Sequence, residues 1–389
     1  MSALPASLPT PRDENWKYAN LRGLSRARFE PSPPPSAETW ARVAAALPAP
    51  LEGFERIVLI DGLVSSATAI AKQSENPTAA RSSSSTVDTI EADRYFLELN
   101  RRLRTDTLRL EVARHQKRAV EVIVVSLGTS HPAIELALAE GAELSLIERH
   151  LPLSTDTVIT NLAVSAVVGS HARLELSRIA QASPKAQHVE TIELHLGEGS
   201  TSKVIQLTTG ATASRTTALV EHAGRESALE WHAAALGEGT QSHDAYVRIV
   251  HAAPGAKTLQ QFRGIASGRS RVSFNGHMRV DATSPNAQSD QSLKCLLAGP
   301  EAEADVRPQL EIYTDAVKAS HGATVGKLDP DMLFYLLSRG IPEESASSLL
   351  KWAFVSDVLS RLSNPALRAD VEHSLERVLP GAVAARSGT

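Results

Sequence analysis

From about Thr105 to about Thr324 the apolar residues fall in short runs of Val, Ile, Leu and Thr broken by glycine, without the stripes of an amphipathic helix. Turn signals stand at Gly197-Glu198-Gly199, Gly210, Gly224, Gly237-Glu238-Gly239, Gly255 and Gly268, mostly 13 or 14 residues apart. That regularity predicts one strand and one turn, repeated. Within it Val272, Phe274, Gly276, Met278 and Val280 alternate with Ser273, Asn275, His277 and Arg279, one set for a buried face and the other for solvent or a neighbouring surface. No amphipathic helix of convincing length separates the runs between Val204 and Leu297, so the crossover helices of a doubly wound sheet are missing. An antiparallel sandwich and a solenoid of parallel strands both fit this spacing.

The two ends of the chain read differently. The first 50 or so residues are rich in proline and alanine, and Pro31-Ser32-Pro33-Pro34-Pro35 predicts an extended spacer before a helix over Ala37 to Leu47. Ile57 to Ile60 predicts a short buried strand ending at the Asp61-Gly62 turn. Ser65 to Asp88, with Ser82 to Ser85 and few large apolar residues, predicts a mobile loop, because it buries too little to offset its ordering entropy. Tyr95 to Leu103 predicts a helix. Near the C-terminus Asp329 caps a helix opened by Pro330, with Leu333, Leu336 and Leu337 as its apolar stripe and Gly340 as its left-handed stop. Pro342 opens a second, with Glu343 and Glu344 against its N-terminal dipole and Ala346, Leu349, Leu350, Ala353 and Phe354 at helical spacing. Asn364-Pro365 begins a third, carrying Leu367, Val371, Leu375 and Val378. Core packing is the first reading of every such stripe. The chain divides into a mostly helical region with the Ser-rich loop over 1–104, a strand-repeat core over 105–324 and a compact helical unit over 325–389.

Composition changes this picture little. At 389 residues, with 42% hydrophobic and 22% charged residues, the chain is long enough for two or three units with a sizeable core. Its formal charge of -4 gives no electrostatic reason to expect nucleic acid as a partner. The single cysteine, Cys295, excludes an intramolecular disulfide and a Cys-rich zinc or cluster site within one chain. There is no signal-like N-terminus and no apolar run of about 20 residues, so the expectation is a cytoplasmic protein without a membrane span.

Three motifs are distinctive. Glu14-Asn15-Trp16-Lys17-Tyr18-Ala19-Asn20-Leu21-Arg22 lies near the N-terminus, Phe274-Asn275-Gly276-His277 in a late strand, and Pro308 to Gly340 joins an alternating strand to a Ser320-His321-Gly322 turn and then to a sharply capped helix. Together they resemble the SufD members of the SufB/SufD family of iron–sulfur cluster assembly proteins. The resemblance implies a mainly β fold, a right-handed parallel β-helix flanked by helical N- and C-terminal regions. A stack of rungs needs covers on its ends, a physical reason for terminal helices.

The resemblance also implies partners. SufB would pair with the β-helix, and the SufC ATPase, which carries the ATP, would dock on the C-terminal helices, with Leu349, Leu350, Trp352 and Phe354 as docking candidates. The chain alone would bind no cofactor. A nascent iron–sulfur cluster or iron would sit at the SufB interface, and the isolated chain would be open to homodimerisation.

His321 is the candidate for chemistry: a neutral imidazole offers a lone pair to iron and can also transfer protons. The family's K-C-S-H-G element reads Lys318-Ala319-Ser320-His321-Gly322 here. Ala319 replaces the cysteine, so any sulfur ligand beside His321 must come from SufB. Cys295, inside Ser292 to Leu297, reads as a core thiol. His222, His232, His243, His251 and His277 fall in the repeat region without metal-site spacing on a helix and read as mostly solvent-facing. No phosphate loop, dinucleotide fingerprint or G-x-S-x-G elbow occurs. The expectation is a subunit that is not an enzyme and has no catalytic residues. The alternatives are a structural homodimer without metal chemistry and a carbohydrate-cleaving β-helix drawing on Asp281, Asp290, Glu311 or Asp315, among which no spacing singles out an acid and base pair.

Overall fold

A computed structural model describes residues 7–31, 33–65 and 91–380. Almost all of the Ser-rich stretch expected to form a loop lies outside them. Among the described residues the strands form one sheet of ten and one of nine, and from Ala133–Leu138 onward successive strands alternate between the two. Ala213–His222 lies in the smaller sheet, Ala228–Gly237 in the larger, and Ser242–His251 in the smaller again. Apart from the antiparallel hairpin of Glu55–Ile60 with Leu63–Val64, pairing along each sheet is parallel and in register: Ala213 aligns with Ser242, and Ala228 with Lys257. A full coil therefore takes about 29 residues, within the range of stacked repeats, and the glycine period read from the sequence is half of it. The fold is a parallel β-solenoid, which decides between the two architectures the spacing allowed.

Inward-facing side chains of both sheets meet in one core that includes Leu146, Leu176, Val204, Trp231, Ile192, Phe262, Phe274, Met278 and Cys295. The core is not wholly apolar. Arg178 Nη2 lies 2.7 Å from Glu148 Oε1 and 2.9 Å from Glu190 Oε2, with all three side chains buried. Gln206 Nε2 and Thr216 Oγ1 donate to Glu190 Oε1 at 2.7 and 2.6 Å. His222, His232, His243 and His251 are also buried, contrary to the expectation of solvent-facing strand residues. Ring and hydroxyl pairs make this possible: His243 Nδ1 lies 2.8 Å from Ser214 Oγ, and His222 and His251 share Thr258 Oγ1 at 3.0 and 2.8 Å. His277 is half-buried, with Nδ1 3.2 Å from Tyr246 Oη.

Five α-helices are described: α1 (Ala37–Ala46), α2 (Tyr95–Leu103), α3 (Pro330–Ser338), α4 (Glu343–Leu359) and α5 (Pro365–Leu375). Their starts follow the sequence closely. Asp329 Oδ1 accepts from the amides of Asp331 and Met332, and Asn364 Oδ1 from that of Leu367. Gly340 closes α3 at φ +82°. Helical regions flank the solenoid on both sides, as expected, and all of the helices but α3 pack on its faces. α4 and α5 lay Trp352, Val355, Val358, Leu359, Leu367, Val371 and Leu375 on the outward row Ile147, Ile179, Ile205, Leu207, Leu236 and Ile265 of the larger sheet. α2 and the N-terminal segment bury Phe96, Leu99, Trp16 and Leu21 against Val189 of the smaller. An outward apolar row spanning several rungs offers a helix more area to bury than the rim of a single rung does.

Two consequences follow at the C-terminal end of the stack. The last strands, Glu303–Ile312 and Val317–Lys327, are the outer strands of their two sheets, and most of their residues are exposed or half-buried. The short helix that follows, α3, buries no residue, so its Leu333, Leu336 and Leu337 are not the core stripe the spacing predicted.

Candidate functional site

The sequence places His321 in a turn; the structure places it inside the edge strand Val317–Lys327. It aligns with Gln291 of the neighbouring strand Ala287–Ala298. The difference has a physical reason, since Gly322 keeps ordinary extended pairing with Ser292 and a Cβ there would meet nothing within 4 Å. The glycine marks bare surface, not a chain reversal.

Alternation along the strand fixes what His321 faces. Ser320 Oγ donates to Asp290 Oδ2 at 3.0 Å on the outer side. His321, Ala319 and Ala323 lie on the opposite, lumenal side, aligned with Gln291, Ser289 and Leu293, which are all buried. His321 is nevertheless exposed, because no further rung covers it. It therefore stands at the open mouth of the solenoid. Around that mouth Ile312, Tyr313 and Val325 are 40%, 58% and 42% exposed, an apolar rim beside two unpaired strand edges.

Cys295 does not reach this mouth. It is buried, and burial pushes its thiol up to about 12, so it stays protonated and packed. Among the described residues no three His, Cys, Asp or Glu side chains come together to hold a metal ion. Two residues before His321, Ala319 offers no metal-binding atom. Three of the four carboxylates considered for glycoside cleavage are engaged separately: Asp281 with Arg279, Asp290 with Ser320, and Glu311 with His277.

Of the docking candidates, Trp352 is only 4% exposed and packs in the seam between α4 and the larger sheet, so its ring is core and not a free surface. Leu349, Leu350 and Phe354 are half-buried. The exposed apolar surface is on α3, where Phe334, Tyr335 and Met332 are 71%, 55% and 54% exposed. The sequence carried a signal for it: Met332 to Leu337 is apolar or aromatic at every position, so the short helix has no polar face of its own to offer water. Among the described residues no helix is long and apolar enough to cross a membrane.

The chain is similar to several known proteins. Residues 123–354 match the family described as the SUF system FeS cluster assembly, SufBD core domain. The chain is 29% identical to the iron–sulfur cluster assembly protein SufD of Escherichia coli K12, over 97% of this chain and 91% of that protein. It is 23% identical to an iron–sulfur cluster assembly SufBD family protein of Synechocystis, over 91% of this chain and 84% of that one. A SufD of Bacillus subtilis is 30% identical over 36% of this chain and 32% of its own length.

Proposed function

The chain belongs to the SufBD family of iron–sulfur cluster assembly proteins, and from that membership we propose that it is a SufD-like subunit without catalytic residues of its own, which pairs its open solenoid end with a SufB-type sister and docks a SufC-type ATPase through its C-terminal helices. The observation that carries this reading is the bare terminal rung. Two edge strands with unpaired backbone groups and an apolar rim form a template for strand pairing with another chain. His321 lies on that template with its ring on the lumenal side. Pairing there brings the sister's side chains to the mouth, where a sister thiolate and the His321 imidazole flank an incoming iron or nascent cluster.

The ATPase docks on α3, with Leu349, Leu350 and Phe354 at the margin of the contact. Phe334 and Tyr335 are the large exposed aromatics that such interfaces use as anchors. Only Leu328 and Asp329 separate the strand carrying His321 from α3, so the two surfaces share one short covalent path.

The test is co-expression with SufB-type and SufC-type partners, anaerobic isolation of the complex, and measurement of its iron and sulfide content. A three-component complex is expected, with assembly retained and cluster content lost in His321→Ala. Normal cluster content in that variant would remove His321 from the chemistry. The bare edges also suit a second copy of this chain, so the isolated chain is expected to dimerise and to exchange its copy for the sister protein. A dimer that persists when both partners are present would favour a self-contained structural role.

A further inference from the structure

His321 ends a row of lumenal side chains. In register through aligned pairs the row runs Leu146, Leu176, Val204, Trp231, Gln260, Gln291 and His321. The first three are aliphatic and the fourth aromatic, yet the two rungs immediately behind His321 carry primary amides. Both are buried, at 0% and 1% exposure, next to a lumen lined by Phe262, Phe274, Met278 and Leu293.

The pair is built into the fold. Gln291 Nε2 donates to Gln260 Oε1 at 2.5 Å. Across the lumen Gly276 leaves the space they occupy, since a Cβ there would fall 2.2 Å from Gln291 Nε2 and 2.6 Å from Gln260 Oε1. With its N–H₂ turned toward the rung behind, Gln291 keeps a buried Oε1 that has no hydrogen-bond partner. Stacked strands are about 4.8 Å apart, so side chains in one row touch their neighbours in succession. The amide's donor is engaged with the rung behind, its acceptor is left over, and the residue aligned on the rung ahead is His321.

We propose that Gln291, backed by Gln260, is a positioning residue for His321: its Oε1, which holds no hydrogen bond in the structure, takes the N–H of one imidazole nitrogen when the exposed His321 ring turns in toward the lumen, which fixes the tautomer and turns the other nitrogen's lone pair out of the mouth. A neutral imidazole has one N–H and one lone pair, and the hydrogen bond made by the first decides which nitrogen can bind a metal. The inference rests on the reading of His321 as a ligand at the pairing edge. It explains why amides interrupt an otherwise apolar row at these two rungs.

The experiment uses the full-length, metal-free chain labelled with ¹⁵N-histidine, with His321 signals assigned by their loss in His321→Ala. Long-range ¹H–¹⁵N correlation in alkaline buffer reads the tautomer. A single tautomer is expected for the native chain, the mixture of free imidazole for Gln291→Leu, and the single tautomer again for Gln291→Glu, which keeps an acceptor in place. A native chain already showing the free-imidazole mixture overturns the proposal without any variant, so loss of folding in Gln291→Leu leaves the test intact. An unchanged tautomer in a folded Gln291→Leu overturns it too. Failure here is separate from failure of the ligand role, which is read from the cluster content of the His321→Ala complex.

Discussion

Glu148, Arg178 and Glu190 form a charged triad inside the solenoid, and its value to the fold lies in completeness. Removing one member leaves buried charge uncompensated, typically worth 3–5 kcal/mol. Arg178→Met is therefore expected to destabilise the chain by about that amount, measured as a shift in the denaturant midpoint at pH 7. The triad and the buried rings also set a pH dependence. Burial would raise Glu148, but the Arg178 charge and the His150 hydrogen bond outweigh it and hold the carboxyl at about 2 against an ordinary 4.5. Its contribution is full above about 4.5 and is lost as pH falls toward 2. Burial lowers His243 and His251 to about 4 from 6.5, so the folded state keeps them neutral while the unfolded chain takes up protons. That stability is present above 6.5 and lost as pH falls through 4. Thermal stability is expected to be flat above pH 7, to fall through the histidine window first, and to fall less steeply in His243→Gln. These rings were misread from sequence because a histidine in an alternating strand has the same local pattern whether its face meets water or a stacked lumen. His321 was misplaced from sequence: a following glycine signals a turn locally, and only the ladder with Ala287–Ala298 shows an extended edge.

At the scale of elements, helix starts were read well because caps are local chemistry. Asp329 and Asn364 bond amides within three residues of themselves. Where a helix goes is not local. α4 is held by an outward row drawn from strands more than fifty residues upstream, so nothing near Trp352 in the chain reveals whether its ring faces the sheet or a partner. α3 gives the sharpest contrast. Phe334→Ser combined with Tyr335→Ser is expected to change stability by no more than about 0.5 kcal/mol, the scale of ordinary surface substitutions, while abolishing capture by an immobilised SufC-type ATPase. Val358→Ala in α4, fully buried on the solenoid, is expected to cost about 0.5–3 kcal/mol in a thermal melt, since most destabilising substitutions fall in that range. Retained capture by the α3 double variant would move the docking surface elsewhere.

For the molecule as a whole, the repeat was legible because glycine punctuates six successive half-coil turns from Gly197 to Gly268, and the period survives without knowledge of tertiary contacts. Pairing direction was not, since parallel and antiparallel strands share the same alternation. The open end was hidden as well, because a last rung carries the same pattern as an inner one and differs only in having no successor. Sedimentation of the isolated chain is expected to show a dimer. Ile312→Lys with Val325→Lys is expected to shift it at least tenfold in concentration toward monomer, as charge on an exposed edge disfavours strand pairing. A dimer insensitive to both charges would place self-association on another surface.

The in-register ladder carries an arithmetic of odd and even. Because side chains alternate with a period of two, deleting one residue between Val317 and His321 could preserve every backbone hydrogen bond of the last strand and still send the imidazole to the outer wall beside Asp290. Deleting two would return it to the mouth, one pleat short. The chemistry proposed for this end thus depends on parity as much as on the residue itself, and length changes are expected to be tolerated in the loop before Val317 but not within the four residues that count up to the histidine.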